Sequence, residues 1–503
     1  GLSETMIGAI LLVASLYYAP WIIRTLRKWI YQYPYVVKLP GPKGLPLLGN
    51  MLDLAGDSTA PMKFWSKEAE KARAKGDGVF CMTLFGRVMT FPLNGEAVKS
   101  ICESTEELTK GKDYDFLHPW MGKGIVFAIG QAWRDRRKSY TPIFHNRTML
   151  EGYVDYFNKH ARVTVEILGE VQPGSTIDIN MMLKRYSLDA ICESSLGFTF
   201  NVQRNPEHPY ILSVDKFAYY LQRWTNEPQM WITWIWYALY HYTGYKECLD
   251  TMNRLTQEVL DNRMAAVKRG EVDLDAEKRP LIDHFIAQYE KGDWTYEELH
   301  LECNSAIFGG HDSTSCTLTW VYWALATQPE FQQQCYEEIY AIFGDSDRDC
   351  THDDMNAMKF TERFIKETMR IFPPVPLIER ELGADFQMGK YLLPKDSEIF
   401  IAPHLVHHNP EVYPDPFKFD PDRFLPENIA KRSPYDFLPF SAGPRNCLGQ
   451  KFALHEMKTI VSWTLRYYSF HTDRKLLDQE MRIEVVTKTS LGCHLQVTPR
   501  KVK

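Results

Sequence analysis

Apolar residues recur at three- and four-residue intervals over long stretches of this chain, which predicts mainly helix. The helical segments fall at 149–171, 181–195, 246–268, 280–290, 296–328, 330–343, 357–371 and 450–467. Strand-like runs are few and short: 79–91, VFCMTLFGRVMTF, and 397–402. Strands do not alternate with helices and no GxGxxG opens a helix, which disfavours a doubly wound dinucleotide fold. The expectation is a single, mainly α domain with small β-sheets, free of repeats and low-complexity linkers.

Two segments depart from that amphipathic pattern. Met6–Ile23, MIGAILLVASLYYAPWII, carries no charge, and as a helix it would span about 27 Å, enough for a hydrocarbon core. Glu4 precedes it and Arg24, Arg27, Lys28, Lys38 and Lys43 follow, which puts the rest of the chain on the cytosolic side. A cleaved signal peptide is the other reading; the basic residues behind the run and the lack of a small-residue cleavage site oppose it. Three prolines and three glycines in residues 39–50, LPGPKGLPLLGN, then form a stiff bend. The second segment, 219–242, holds Trp224, Trp231, Trp234 and Trp236, and suits either a membrane–water interface or an aromatic core helix.

Composition narrows the function. The 503 residues are 45% hydrophobic and 13% aromatic, enough for a substantial core, and the net charge of −6 gives no basic footprint for nucleic acid. Ten scattered cysteines form no CxxC pair and read as reduced thiols facing the cytosol. The lone sequon Asn146-Arg147-Thr148 then carries no sugar.

The apolar 296–328 segment contains FGGHDSTS, residues 308–315, at its middle. Two adjacent glycines cost about 1 kcal/mol each relative to alanine in a helix. An acid and three hydroxyls beside them are poor choices for a buried helix unless they have work to do. A helix kink capped by Asp312 and Ser313 is the plain alternative.

FLPFSAGPRNCLG, residues 437–449, is the second anomaly. Cys447 lies in a glycine- and proline-broken loop just before a helix, where the dipole and free NH groups favour a thiolate, and Arg445 adds a cation. Gly443 and Gly449 allow close backbone approach by a flat ligand, and Phe440 would shield the sulfur. Such a thiolate suits a nucleophile, a zinc ligand or a haem axial ligand; no second Cys or His at metal spacing supports zinc, and no His–Asn set supports cysteine catalysis.

Phe440, Gly443, Arg445, Cys447 and Gly449 match the haem-binding signature of the cytochromes P450, and the whole chain resembles that family. Glu367 and Arg370 (ETMR) resemble its ExxR pair, with Arg423 (PDRF) the arginine that joins them; the resemblance implies a structural network. Trp133 and Arg137 (WRDRR) resemble its WxxxR helix, implying donors to the haem propionates together with Arg445, and Arg380 (PPVPLIER) resembles a further propionate arginine. FGGHDSTS resembles its [AG]Gx[DE]T[TS] motif: Gly309 and Gly310 would make room for dioxygen and substrate and let the helix open locally, while Asp312, Ser313 and Thr314 would deliver protons. Serine stands where the family usually has threonine. The resemblance implies the family's mainly α fold and three parts: residues 1–28 as transmembrane anchor, 29–50 as basic Pro/Gly-rich hinge, and 51–503 as the haem-thiolate monooxygenase domain.

HPWMGKGIVFAIGQAWRDRRKSYTPIFH, PDRFLPEN and PFSAGPRNCLGQKFA resemble family 4 and its animal relatives, many of which hydroxylate long-chain fatty acids. Several of those carry a glutamate, esterified to the haem, where this chain has Gly309, so the ester cannot form here. The implied cofactor is haem b (iron protoporphyrin IX), with Cys447 its iron ligand and electrons from NADPH through a partner NADPH–cytochrome P450 reductase, with cytochrome b5 as a second donor. Arg136, Lys138, Arg432 and Lys451 would form the basic docking patch. The location implied is the endoplasmic reticulum membrane, crossed once, with the catalytic domain cytosolic. Sterol or xenobiotic hydroxylation, a reductase-independent haem-thiolate isomerase or dehydratase, and a non-catalytic haem- and lipid-binding protein are the competing readings; the retained acid–alcohol pair opposes the last two.

Overall fold

The computed structural model describes residues 19–500, apart from 21–22, 46–47, 108, 228–229 and 231–232. The Met6–Ile23 run therefore lies outside the described residues except at 19, 20 and 23. Among the described residues no helix is long and apolar enough to cross a membrane.

The described chain divides into two compact units. One combines residues up to Gly111 with Leu377–Val406. It holds helix α1 (Ala60–Arg73) and a four-stranded sheet of β1 (Val79–Leu84), β2 (Arg87–Pro92), β3 (Ile378–Glu381) and β4 (Glu398–Ile401), in the order β1-β2-β4-β3. The sequence gives 79–91 as one run; the structure folds it into a hairpin, Val79 opposite Pro92 and Leu84 opposite Arg87. Its turn, Phe85-Gly86, has φ of 49° and 74°, the two left-handed positions a tight hairpin requires. The proline-rich bend runs along β1: the Cys81 NH donates to the Pro40 carbonyl (2.6 Å) and the Asn50 NH to that of Thr83 (2.7 Å). A Cβ at Gly41 would fall 1.8 Å from the Cys81 oxygen, so the close approach demands glycine there.

The second unit, Lys112–Pro376 with His407 onward, carries the helical body. Its main helices are α2 (Gly130–His145), α3 (Arg147–Gly169), α4 (Ile179–Leu196), α5 (Pro209–Asn226), α6 (Tyr245–Lys268), α7 (Leu281–Glu290), α8 (Tyr296–Thr327), α9 (Pro329–Phe343), α10 (Lys359–Ile371) and α11 (Gln450–Tyr467). Thr295 and Glu298 cap the start of α8 reciprocally. From there the helix is unbroken through Gly309-Gly310, so the expected local opening is not present. Its hydroxyls explain how: Ser313, Thr317, Thr319 and Thr327 each donate to the carbonyl four residues back, keeping polar side chains satisfied within the helix. The C-terminal half of α8 buries Trp320, Tyr322 and Trp323 in one core with Trp463 of α11. Behind α8 lies a hairpin of β5 (Met481–Ile483) and β6 (Thr487–Thr489). The 219–242 segment is two helices, Pro209–Asn226 and Thr233–Tyr242; Trp224 and Trp236 pack on the core, while Tyr219, Tyr237 and Tyr242 are exposed.

Candidate functional site

Phe440 to Gly449 fold into a tight loop that ends at the first turn of α11. The Cys447 NH donates to the Phe440 carbonyl (2.8 Å) and the Asn446 NH to that of Gly443 (3.1 Å). Positive φ at Ser441 (60°) and Gly443 (70°) makes the reversal. Of the ten cysteines, all free, only Cys447 is exposed. Burial nevertheless pushes its thiol pKa up, while the Gly449 NH and the Arg137 guanidinium pull against that rise.

Arg137, on α2, directs Nη1 (2.6 Å) and Nη2 at the Asn446 carbonyl and amide oxygen, tying α2 to the cysteine loop. Arg445 donates to the Ala128 carbonyl (2.7 Å), and its guanidinium lies 4.1 Å from the centroid of Trp133, which is buried. The cation beside Cys447 is thus Arg137, where the sequence points to Arg445. Arg380 belongs to the other unit, buried on β3 with Nη1 on the Glu379 carbonyl (2.9 Å).

Glu367 and Arg370, one turn apart on α10, are fully buried and joined by two bonds of 2.7 and 2.8 Å. Arg370 also donates to the carbonyls of His407 (3.1 Å) and Lys418 (3.3 Å); Glu367 accepts from the Asp420 NH (2.8 Å), and Arg423 Nε lies 3.6 Å away. Arg423 itself donates to the Pro414 and Asp415 carbonyls. Together these bonds fasten the 407–423 segment to α10.

On α8 the two glycines part company. Gly309 is exposed, and a Cβ built there meets nothing within 4 Å. At Gly310 a Cβ would fall 2.3 Å from Ile191 Cδ1 of α4, so this glycine serves helix packing rather than making room for a ligand. Ser313, one turn beyond Gly309, donates to the Gly309 carbonyl (2.7 Å). Thr314 is turned into the core, so Ser313 is the hydroxyl that shares Gly309's face. Asp312 Oδ1 accepts from Lys488 Nζ of β6 at 2.8 Å. Burial works to raise the Asp312 carboxyl, but Lys488, His311 and Lys184 overcome it and hold it at about 2.

The expected docking patch needs a correction too. Arg136 is buried, paired with Glu302 (2.8 Å) and Glu298 (2.9 Å) of α8, and couples helix to helix instead of facing a partner. Lys138 and Lys451 are exposed; Arg432 is half-buried over Tyr413 and Phe424. Asn446, Ile191 and Lys488 were not foreseen from sequence. Each works through tertiary neighbours far along the chain, and none carries a local motif.

Among the described residues no group of three His, Cys, Asp or Glu side chains could hold a metal. A metal bound through Cys447 would therefore arrive with donors of its own, as the iron of a porphyrin does. The residues fit that group.

A family model described as Cytochrome P450 matches residues 39–495. Cytochrome P450 4c21 of Blattella germanica is 32% identical, covering 89% of this chain and 91% of its own length. Cytochrome P450 4V2 of Homo sapiens is also 32% identical, covering 81% and 79%. The solved cytochrome P450DA heme domain superposes with a TM-score of 0.79 at 21% identity, over 92% of this chain and 98% of that one.

Proposed function

Because the chain belongs to the cytochrome P450 family and is a P450 monooxygenase, we propose that its substrate is a long-chain fatty acid, held against α8 beside Gly309. The open space at Gly309 carries this reading, and the core next to Phe308, the preceding residue, is aromatic. Trp120 meets Phe308 edge-on at 5.7 Å and Phe217 at 5.2 Å, and Phe116 packs on Trp224 at 4.4 Å. Apolar surroundings bind a slender apolar chain through burial, without needing polar partners. Without a side chain at Gly309 to pin a terminal methyl, oxidation is expected at several carbons near the chain end. Sterol or xenobiotic hydroxylation is the second reading.

The haem, when bound, supplies dioxygen activation and insertion of one oxygen atom into a C–H bond, the other leaving as water. Cys447 would hold the iron through its sulfur as a thiolate, with the Gly449 NH and Arg137 favouring the negative sulfur. Trp133, Arg137 and Arg445 would hold the propionates, the guanidiniums by charge-assisted bonds. Glu367, Arg370 and Arg423 keep the polypeptide behind the loop rigid. Ser313, whose hydroxyl donates to the Gly309 carbonyl, and Asp312, once it has taken a proton from water, would relay protons toward the haem face. NADPH–cytochrome P450 reductase, with cytochrome b5 as a second donor, docks through Lys138 and Lys451, at the endoplasmic reticulum membrane.

The carbon monoxide difference spectrum of reduced protein, wild type beside Cys447→His, tests the ligand. A strongly red-shifted Soret band in wild type alone is expected; its absence from well-folded, haem-loaded protein would remove Cys447 from the iron. Long-chain fatty acids are then added to ferric protein. Micromolar displacement of the iron's water, seen as a blue-shifted Soret band, supports the substrate class, and a response confined to sterols refutes it.

A further inference from the structure

Asp312 and Ser313, adjacent on α8, are not bonded to each other. Ser313 Oγ is engaged with the Gly309 carbonyl at 2.7 Å, and Asp312 Oδ1 with Lys488 Nζ at 2.8 Å. Both members of the ion pair are about one-fifth exposed, at 18% and 20%, so the pair lies at the edge of the site rather than in bulk water. The backbone under Lys488 is fixed. Its neighbour Thr487 donates its NH to the Pro374 carbonyl (2.8 Å) and its hydroxyl to that of Pro373 (2.9 Å). In turn Thr487 accepts from Trp320 Nε1 (3.3 Å) through its hydroxyl and from the Cys316 thiol (2.7 Å) through its carbonyl. Cys316 and Trp320 are themselves on α8, one and two turns beyond Asp312. Hairpin and helix are thus bolted together beside the carboxylate, and only the Lys488 side chain has freedom to leave it.

We propose that Lys488 is a positioning residue for proton delivery, holding the Asp312 carboxylate ionised and away from Ser313 until the pair opens. The proposal rests on the oxygen-activating role given to Asp312 and Ser313 above. A carboxylate clamped in this way has no proton to give. Delivery requires the carboxylate to turn from Lys488, take a proton from water and pass it to Ser313 or to oxygen. The other charged groups around Asp312 do not replace Lys488. His311, its neighbour on α8, is buried and driven down to about 3, so it is neutral at physiological pH. Lys184 of α4 is already paired with Asp215 of α5. Glu484, in the turn of the hairpin, bears the same sign as Asp312 and is paired with Arg482 (2.8 Å). Without Lys488, burial is the largest influence left on Asp312, and it acts to raise the carboxyl above its ordinary value near about 4.

The test compares wild type, Lys488→Met, Lys488→Gln and Lys488→Arg, each haem-loaded. The first readout needs no turnover: infrared absorption of a protonated carboxyl in ferric, substrate-free protein at mildly acidic pH. Wild type already has such a band from buried Glu456. An additional band is expected in Lys488→Met and Lys488→Gln, none in Lys488→Arg, and the additional band is lost again when Asp312→Asn is added to Lys488→Met. The second readout is the pH profile of product formed per NADPH oxidised. The wild-type profile should be flat above pH 5. In the Met and Gln variants it should fall as pH rises through the new Asp312 pKa, and Lys488→Arg should restore it. Unchanged infrared spectra and superimposable pH profiles would overturn the proposal. Loss of the red-shifted carbon monoxide band in wild type would instead strike the haem-thiolate reading, which the infrared measurement does not use.

Discussion

An added methyl at Gly309 would meet open space, and at Gly310 it would collide with Ile191. Gly309→Ala is therefore expected to stabilise the haem-free protein by about 1 kcal/mol through helix propensity. Gly310→Ala should destabilise it by about 1–3 kcal/mol through overpacking, and thermal unfolding of both variants reads the difference in sign. The sequence shows the pair of glycines but treats them alike, because which face of a helix each occupies is set by α4, more than a hundred residues earlier. Glu456 offers a second residue-scale test. It is wholly buried on α11, and burial, against the pull of the Ser187 hydroxyl, holds its carboxyl well above the ordinary value. The folded state keeps that proton as pH rises while the unfolded chain releases it near about 4.5. Stability contributed at low pH is thus lost progressively above that point. Glu456→Gln should flatten the decline between pH 5 and 8, measured as denaturation midpoint against pH.

Eight of the helices that frame the site match segments visible in the apolar periodicity, within a few residues at each end. The β1–β2 hairpin was not legible as two strands, because Phe85 stands where a hairpin turn usually shows asparagine or aspartate. Charge clusters misled in a related way. From the sequence Arg136 belongs to a docking patch and Arg137 to the haem, yet on α2 the WRDRR arginines point three ways: Arg136 into Glu298 and Glu302, Arg137 onto Asn446, and Arg134 outward. Consequently Arg136→Gln should lower the unfolding temperature and leave the reductase dependence of turnover intact. Lys138→Glu should raise the KM for reductase several-fold, more so at low salt, with little change in stability. On α10, Glu367→Gln leaves Arg370 buried with its charge uncompensated; a loss of about 3–5 kcal/mol and failure to retain haem are expected, measured by denaturant unfolding and haem content.

For the whole molecule, the family was legible because its motifs are dense and rigidly spaced around one cysteine. The arrangement that makes them work was not, since Cys447 gains its neighbours from α2 and the 440s loop together. The thiol census gives this a global readout. With nine cysteines buried and one exposed, a bulky thiol reagent should modify about one site per folded haem-free molecule, at Cys447 by peptide mapping, and none after haem loading.

Lys488 reaches Asp312 across 176 residues of chain. At ribosomal speeds of about 5–20 residues per second, the helix that carries Asp312 is synthesised roughly 10–35 seconds before its lysine exists. During that interval the nascent α8 presents tryptophans and an unpaired acid to whatever chaperone meets it. Emergence of the 481–489 hairpin is what closes the site.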